Sequence, residues 1–175
     1  MAMLHVYTGN GKGKTTAALG LAIRAAGHGS KVEIIQFMKS RPTGEKIIIR
    51  RMRSAGIRNI NLTQFGINKY FKNKEAFGRH LSEAKKGMAY ARKLLRERKC
   101  NMLILDEINV AVKCGLISAE DAMRFAEKAL GRMEVVFTGR GCPEKIIRKA
   151  DYVTCMKEVK HPFSKDIKAR KTIEL

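Results

Sequence analysis

Residues 4–16 read LHVYTGNGKGKTT, and the fold turns on how this stretch is understood. Leu4 to Tyr7 is short, apolar and aromatic, as a buried strand is, and it runs into a glycine-rich turn from Gly9 to Gly13. Thr15 to Ala26 is rich in helix formers. The order strand, glycine turn, helix lets backbone N–H groups face an anion at the positive end of the helix dipole. Thr8-Gly9-Asn10-Gly11-Lys12-Gly13-Lys14-Thr15-Thr16 matches the second half of the phosphate-loop pattern G-x-x-x-x-G-K-[ST], with Thr8 where the first glycine is expected. In that pattern Lys14 reaches the phosphates, the Thr15 hydroxyl ligates the Mg²⁺ that bridges them, and Lys12 adds a second cation. Nucleotide binding follows from these residues alone.

Moving outward, Gly27 and Gly29 punctuate the chain and Lys31 to Phe37 reads as a second strand, completing a β-α-β unit with a parallel pair. Glu45 to Met52 fits a basic helix or a strand equally. Ile57 to Thr63 alternates as a strand does, and Lys74 to Arg98 fits a long helix with Phe77, Leu81, Ala84, Met88, Ala91 and Leu95 on its core face. Met102 to Leu105 is a continuous apolar run, as a strand covered on both faces would be, and Val135 to Thr138 repeats the form. Ser118, with Asp121 three residues later, starts a helix lasting to about Leu130. Pro143 to Ala150 reads as a short helix and Tyr152 to Met156 as a last strand. The alternation predicts one domain over residues 1–175, an open, mostly parallel α/β sheet with helices on both faces.

Asp106 and Glu107 close the Met102 strand. Carboxylates at that strand end face the metal from across the phosphate loop, directly or through water, so Thr15, Asp106 and Glu107 form the candidate metal site and Lys14, Thr15 and Glu107 the candidate catalytic set.

Composition narrows the classes. At 175 residues the chain can bury a full core without disulfides or structural metal. The four cysteines, Cys100, Cys114, Cys142 and Cys155, form no C-x-x-C pair, which points away from zinc and toward reduced thiols in a cytoplasmic protein. The start has no signal-peptide pattern, and the apolar run Ala17 to Ala26 carries Arg24 and is too short to span a bilayer, so export and membrane insertion are not expected. The formal net charge of +20 attracts anions, nucleotides or nucleic acid alike. A nucleic-acid-stimulated ATPase is therefore the rival reading, although no base-stacking aromatic array is visible and nucleic acid is disfavoured as a partner.

Several strings taken together are more specific: YTGNGKGKTTAALGLAIRAAGHG (Tyr7 to Gly29), QFMK (Gln36 to Lys39), LDEI (Leu105 to Ile108), TGRGCP (Thr138 to Pro143) and EVKHPF (Glu158 to Phe163). In order and spacing the chain resembles the P-loop type of ATP:corrinoid adenosyltransferase, a family that is similar in having Thr before G-N-G-K-G-K-T-T. The resemblance implies a RecA-like P-loop NTPase fold and transfer of the adenosyl group of ATP to the Co(I) of a corrinoid, with triphosphate leaving and no general base required. It implies Mg²⁺ or Mn²⁺ with ATP, a reduced corrinoid as second substrate, an electron-donating flavoprotein and a homodimer. By position it adds Arg24 and Arg140 to Thr8–Thr16 as nucleotide contacts, and Phe65, Tyr70 and Phe71 as candidate corrinoid contacts in a segment where this chain has Ile67 and no Trp. His161 is expected to be structural. The chain departs from the pattern at Asp166 and Thr172, where glycine is usual in relatives, and it begins directly at the first strand.

Overall fold

The computed structural model describes residues 2–67, 73–162, 170, 172 and 173. Tyr70 and Phe71, expected on the corrinoid side, lie outside the described residues. The chain runs β1 (Leu4–Thr8), α1 (Lys14–Gly27), β2 (Val32–Phe37), α2 (Gly44–Ser54), β3 (Ile60–Phe65), α3 (Lys74–Arg96), β4 (Met102–Asp106), α4 (Ile108–Lys113), α5 (Ala119–Ala129), β5 (Glu134–Thr138), α6 (Glu144–Ile147) and β6 (Tyr152–Cys155). The strands form one sheet of order β3-β2-β4-β5-β1-β6, and every pairing is parallel. Both the α/β class and the phosphate-loop NTPase-like arrangement expected from the sequence are met.

Strand side chains alternate between two cores, because successive residues point to opposite faces. Ile35, Phe37, Leu103, Leu105, Val135 and Phe137 pack with α3, α4, α5 and α6, while Val32, Ile34, Ile104 and Val136 pack with Ala18 and Ala22 of α1 and Ile49 of α2. Burying such a side chain completely contributes about 1.5–3 kcal/mol each. The central strands are thus a stiff frame, and their carboxyl ends, where α/β sheets bind ligands, can carry loops in costly conformations.

One open reading is resolved and three local expectations are corrected. The open segment Glu45–Met52 is helical, within α2, which buries Ile49. β3 begins at Ile60, because Gly56, at φ 91°, turns the chain out of α2 and leaves Ile57 44% exposed. On α3 the core face in the first turns is Ala76 and His80, in line with Ala84 and Met88, whereas Phe77 points outward at 38% exposure. α4 and the shortness of α6 were not expected: Asp106 and Glu107 read as a strand end, and four residues carry too little periodicity to set helix bounds.

Candidate active site

The glycine loop joins β1 to α1. Gly13 caps α1 at φ 115°, with no side-chain cap and no acidic residue in the first turn. The amide end of the helix is therefore left for an outside anion. Behind the loop runs the chain leaving β6: Gly11 N donates to Met156 O at 2.7 Å, and Met156 N donates to Thr8 O at 2.8 Å. A Cβ at Gly9 would stand 2.4 Å from Met156 O, and one at Gly11 2.7 Å from Lys157 O, so glycine is required there by close approach of another backbone. Lys14 is 7% exposed and its Nζ donates to Gly11 O at 2.5 Å. Burial and then Arg140 lower its pKa, while Glu107, Cys155 and Glu158 pull the other way.

Asp106 is the hub opposite the loop. Its Oδ1 accepts from Thr15 Oγ1 at 2.8 Å and from Thr138 Oγ1 at 2.7 Å. Its Oδ2 accepts from Gln36 Nε2 at 3.0 Å and Lys39 Nζ at 2.8 Å. A carboxylate offers about four acceptor positions, and all are taken here. Thr15, which donates to Asp106, keeps its oxygen lone pairs for a cation.

Glu107 caps α4 at φ 63°, ψ 17°, a left-handed conformation uncommon outside glycine. The turn is held by Glu107 N donating to Thr138 Oγ1 at 3.0 Å and by Ala111 N donating to Glu107 O at 3.0 Å. Burial, then the neighbouring Asp106, raise the Glu107 pKa; Lys39, Lys14 and Arg140 oppose them. Arg140 follows Gly139, whose φ is 128° and whose carbonyl accepts from the buried Asn109 Nδ2 at 3.3 Å.

These groups surround a cavity of about 570 Å³. Of the residues expected from sequence, Gly11, Lys12, Gly13, Lys14, Thr15, Thr16, Glu107 and Arg140 line it. Thr8 supports the loop from below, its Oγ1 accepting from Cys142 N at 3.3 Å. Gly9 and Asn10 belong to the loop but not to the cavity wall. Arg24 is exposed in the last turn of α1, away from the lining. Phe65 ends β3, half-buried, its ring centroid 5.8 Å from that of Tyr90. Sequence reasoning missed Lys39, Glu45 and Thr172 as wall residues and expected His161 to be structural, yet it too faces the cavity. The QFMK and EVKHPF strings carried the signal for Lys39 and His161. A larger groove, about 670 Å³ between α3 and α5, holds none of these groups, and chemistry rather than volume identifies the site.

The whole chain, residues 1–175, matches the family described as ATP:corrinoid adenosyltransferase BtuR/CobO/CobP. It is 34% identical over 173 residues to a corrinoid adenosyltransferase of Pseudomonas aeruginosa, covering 98% of this chain and 83% of that protein. It is 33% identical to a corrinoid adenosyltransferase of Escherichia coli (96% and 83% covered) and 33% identical to the corrinoid adenosyltransferase CobA of Salmonella typhimurium (98% and 85%). With a glycine loop and an uncapped helix end opening on one cavity, the Asp106 hub buried behind Thr15 and Lys39 of its wall, and a match from the first residue to the last, this chain belongs to the ATP:corrinoid adenosyltransferase family.

Proposed function

We propose that the chain transfers the 5′-deoxyadenosyl group of ATP to the reduced cobalt of a corrinoid, releasing triphosphate, in the making or salvage of adenosylcobalamin. Its family makes it a transferase that adenosylates corrinoids with ATP. One observation carries the finer reading: Lys12, Lys14, Lys39 and Arg140 converge on the cavity into which the uncapped end of α1 opens.

A Co(I) nucleophile needs no base, so the protein has two tasks, alignment of C5′ and stabilisation of charge on the departing triphosphate. Lys14 and the loop amides grip the phosphates in this reading, with Lys12 and Arg140 outside them. A divalent ion, Mg²⁺ or Mn²⁺, bound with ATP would neutralise phosphate charge. The residues fit such an ion: the Thr15 oxygen, whose proton goes to Asp106, would be free to ligate it, Asp106 with its acceptor positions filled would hold Thr15, and Glu107 in the same cavity would add negative charge facing it. Arg24 is assigned to the nucleotide, and Phe65, Tyr70 and Phe71 to the corrinoid face. The reading includes a flavoprotein electron donor, a homodimer and a cytoplasmic setting. No helix among the described residues is long and apolar enough to cross a membrane.

The test is product analysis. Protein mixed with ATP, Mg²⁺ and a chemically reduced corrinoid should give a light-sensitive cobalt–carbon product and inorganic triphosphate, and Lys14→Ala should give neither. ADP and phosphate instead, stimulated by added DNA, would replace this reading with the nucleic-acid-dependent ATPase.

A further inference from the structure

We propose that Lys39 is a catalytic residue of this reaction: a preset cation that contacts the polyphosphate and favours the leaving triphosphate over bound ATP. The inference rests on the adenosyltransferase reading and adds to it a residue that the phosphate-loop motif does not contain.

Three independent features place Lys39. Its ammonium is anchored from behind, with Nζ 2.8 Å from Asp106 Oδ2 and 3.8 Å from Glu45 Oε1. Glu45 is itself held by Gln36 Nε2 at 2.8 Å. An ammonium has three donors, and Asp106 takes one, so the others remain for the cavity that Lys39 lines and to which its side chain is 26% exposed.

The backbone is built around it as well. Met38, immediately before it, sits at φ 58°, a left-handed conformation that a side-chain-bearing residue holds only when its surroundings fix it. Met38 N donates to Phe65 O at 2.8 Å, and Gly66 lies so close that a Cβ there would stand 2.6 Å from Lys39 N. The ends of β2 and β3 are thus stitched together at the residue that aims the Lys39 side chain. No such device is needed for a surface lysine.

The chemistry needs a cation beyond Lys14. As the Co–C5′ bond forms, the C5′–O bond breaks and its electron pair leaves on the triphosphate oxygen, which gains one unit of negative charge. Lys39 supplies charge and donates hydrogen bonds without giving up its proton. A group that binds triphosphate more tightly than ATP lowers the barrier, whereas one that binds both equally does not.

The experiment compares Lys39→Met, Lys39→Gln and Lys39→Arg in the full chain, measuring calorimetric affinity for ATP with Mg²⁺ and for inorganic triphosphate with Mg²⁺, alongside kcat and KM for cobalt–carbon product. Loss of the charge should lower kcat about 100-fold. It should weaken triphosphate binding about tenfold more than ATP binding, and Arg should recover most of both. Lys39→Gln keeps a donor for Asp106, so it tests the charge even if Lys39→Met does not fold. Equal weakening of both ligands with kcat unchanged, wild-type values in Lys39→Gln, or an Arg variant as impaired as Gln would each overturn the proposal. A wild-type protein without cobalt–carbon product would instead overturn the adenosyltransferase reading, and the triphosphate arm would still judge Lys39.

Discussion

The Thr15 hydroxyl donates to Asp106 Oδ1 at 2.8 Å, tying the phosphate loop to the end of β4 across 91 positions of sequence. Thr138 Oγ1 donates to the same oxygen at 2.7 Å, so three carboxyl strand ends and the loop meet at one buried carboxylate. Asp106→Asn puts a donor where two protein donors already point. The expected cost is about 2 kcal/mol of stability, and kcat should fall about 100-fold because Thr15 loses its fixed orientation. Urea denaturation and steady-state kinetics measure the two. Wild-type turnover in Asp106→Asn would remove Asp106 from the mechanism.

The loop was legible in sequence because its chemistry is local: Gly13, Lys14 and Thr15 are consecutive, and their flanking strand and helix are short-range patterns. The QFMK and EVKHPF strings marked Lys39 and His161, but their places in the cavity wall, like that of Glu45, were not legible, since each reaches the cavity only through tertiary packing, as where Gln36 of β2 is in register with Asp106 of β4. Phe77 was misread for a related reason. Ala84, Met88, Ala91 and Leu95 of the expected α3 stripe do meet the core, but its first turn presents Ala76 and His80 instead of Phe77, and Gly87 beside the stripe lets Phe37 approach, a Cβ there standing 2.6 Å from its ring.

Two glycines of one region should respond in opposite directions to alanine. Gly11→Ala drives a Cβ into the Lys157 and Met156 carbonyls, and backbone on that side cannot turn away as a side chain would. Nucleotide affinity should drop at least tenfold as the loop shifts. Gly20, inside α1, has nothing within 4 Å of its missing Cβ. Gly20→Ala should therefore gain about 0.5–1 kcal/mol from helix propensity. Calorimetric Tm and ATP titration of both variants check the pair, and a stable, tight-binding Gly11→Ala would contradict the packing described.

The cysteines should label unequally. Burial pushes the Cys100 and Cys142 thiols up to about 12, which leaves almost no thiolate at pH 8. Cys155 is exposed at the end of β6, its Sγ 3.0 Å from where a Gly9 Cβ would stand. Iodoacetamide at pH 8 should modify Cys155 well before Cys100 or Cys142, and bound ATP should slow that modification. Peptide mass mapping over time reads the order, and early labelling at Cys100 would refute it.

At the start of β2, Glu33 is 9% exposed, its Oε1 accepting from Asn61 Nδ2 at 3.0 Å while Oε2 has no partner among the described residues. Burial raises its pKa, against the Asn61 hydrogen bond and Arg53. A carboxyl with a raised folded pKa binds its proton more tightly folded than unfolded. Its contribution therefore favours the fold below the unfolded pKa and is lost as pH climbs through the window between the two values. Glu33→Gln removes the buried charge and should be more stable than the parent at pH 7, by about 1 kcal/mol, with the difference shrinking toward pH 4. Urea curves at the two pH values test the sign. A Glu33→Gln variant less stable at pH 7 would show that Arg53 outweighs burial.

Thr172 reaches the cavity wall with φ at 78°, a conformation in which a β-branched side chain crowds its own backbone. Such a residue costs about 1–3 kcal/mol that glycine would not incur. Thr172→Gly gives part of this back through the greater freedom of an unfolded glycine, so the net gain is expected near 1 kcal/mol, or about 2–4 °C in Tm for a chain of this size. The same change removes a hydroxyl and a methyl from the cavity proposed to hold ATP. If Thr172 only shapes the turn, KM for ATP stays at the parent value while Tm rises. If its side chain touches the nucleotide, KM rises with Tm. A lower Tm would mean that contacts of the threonine outweigh its backbone strain.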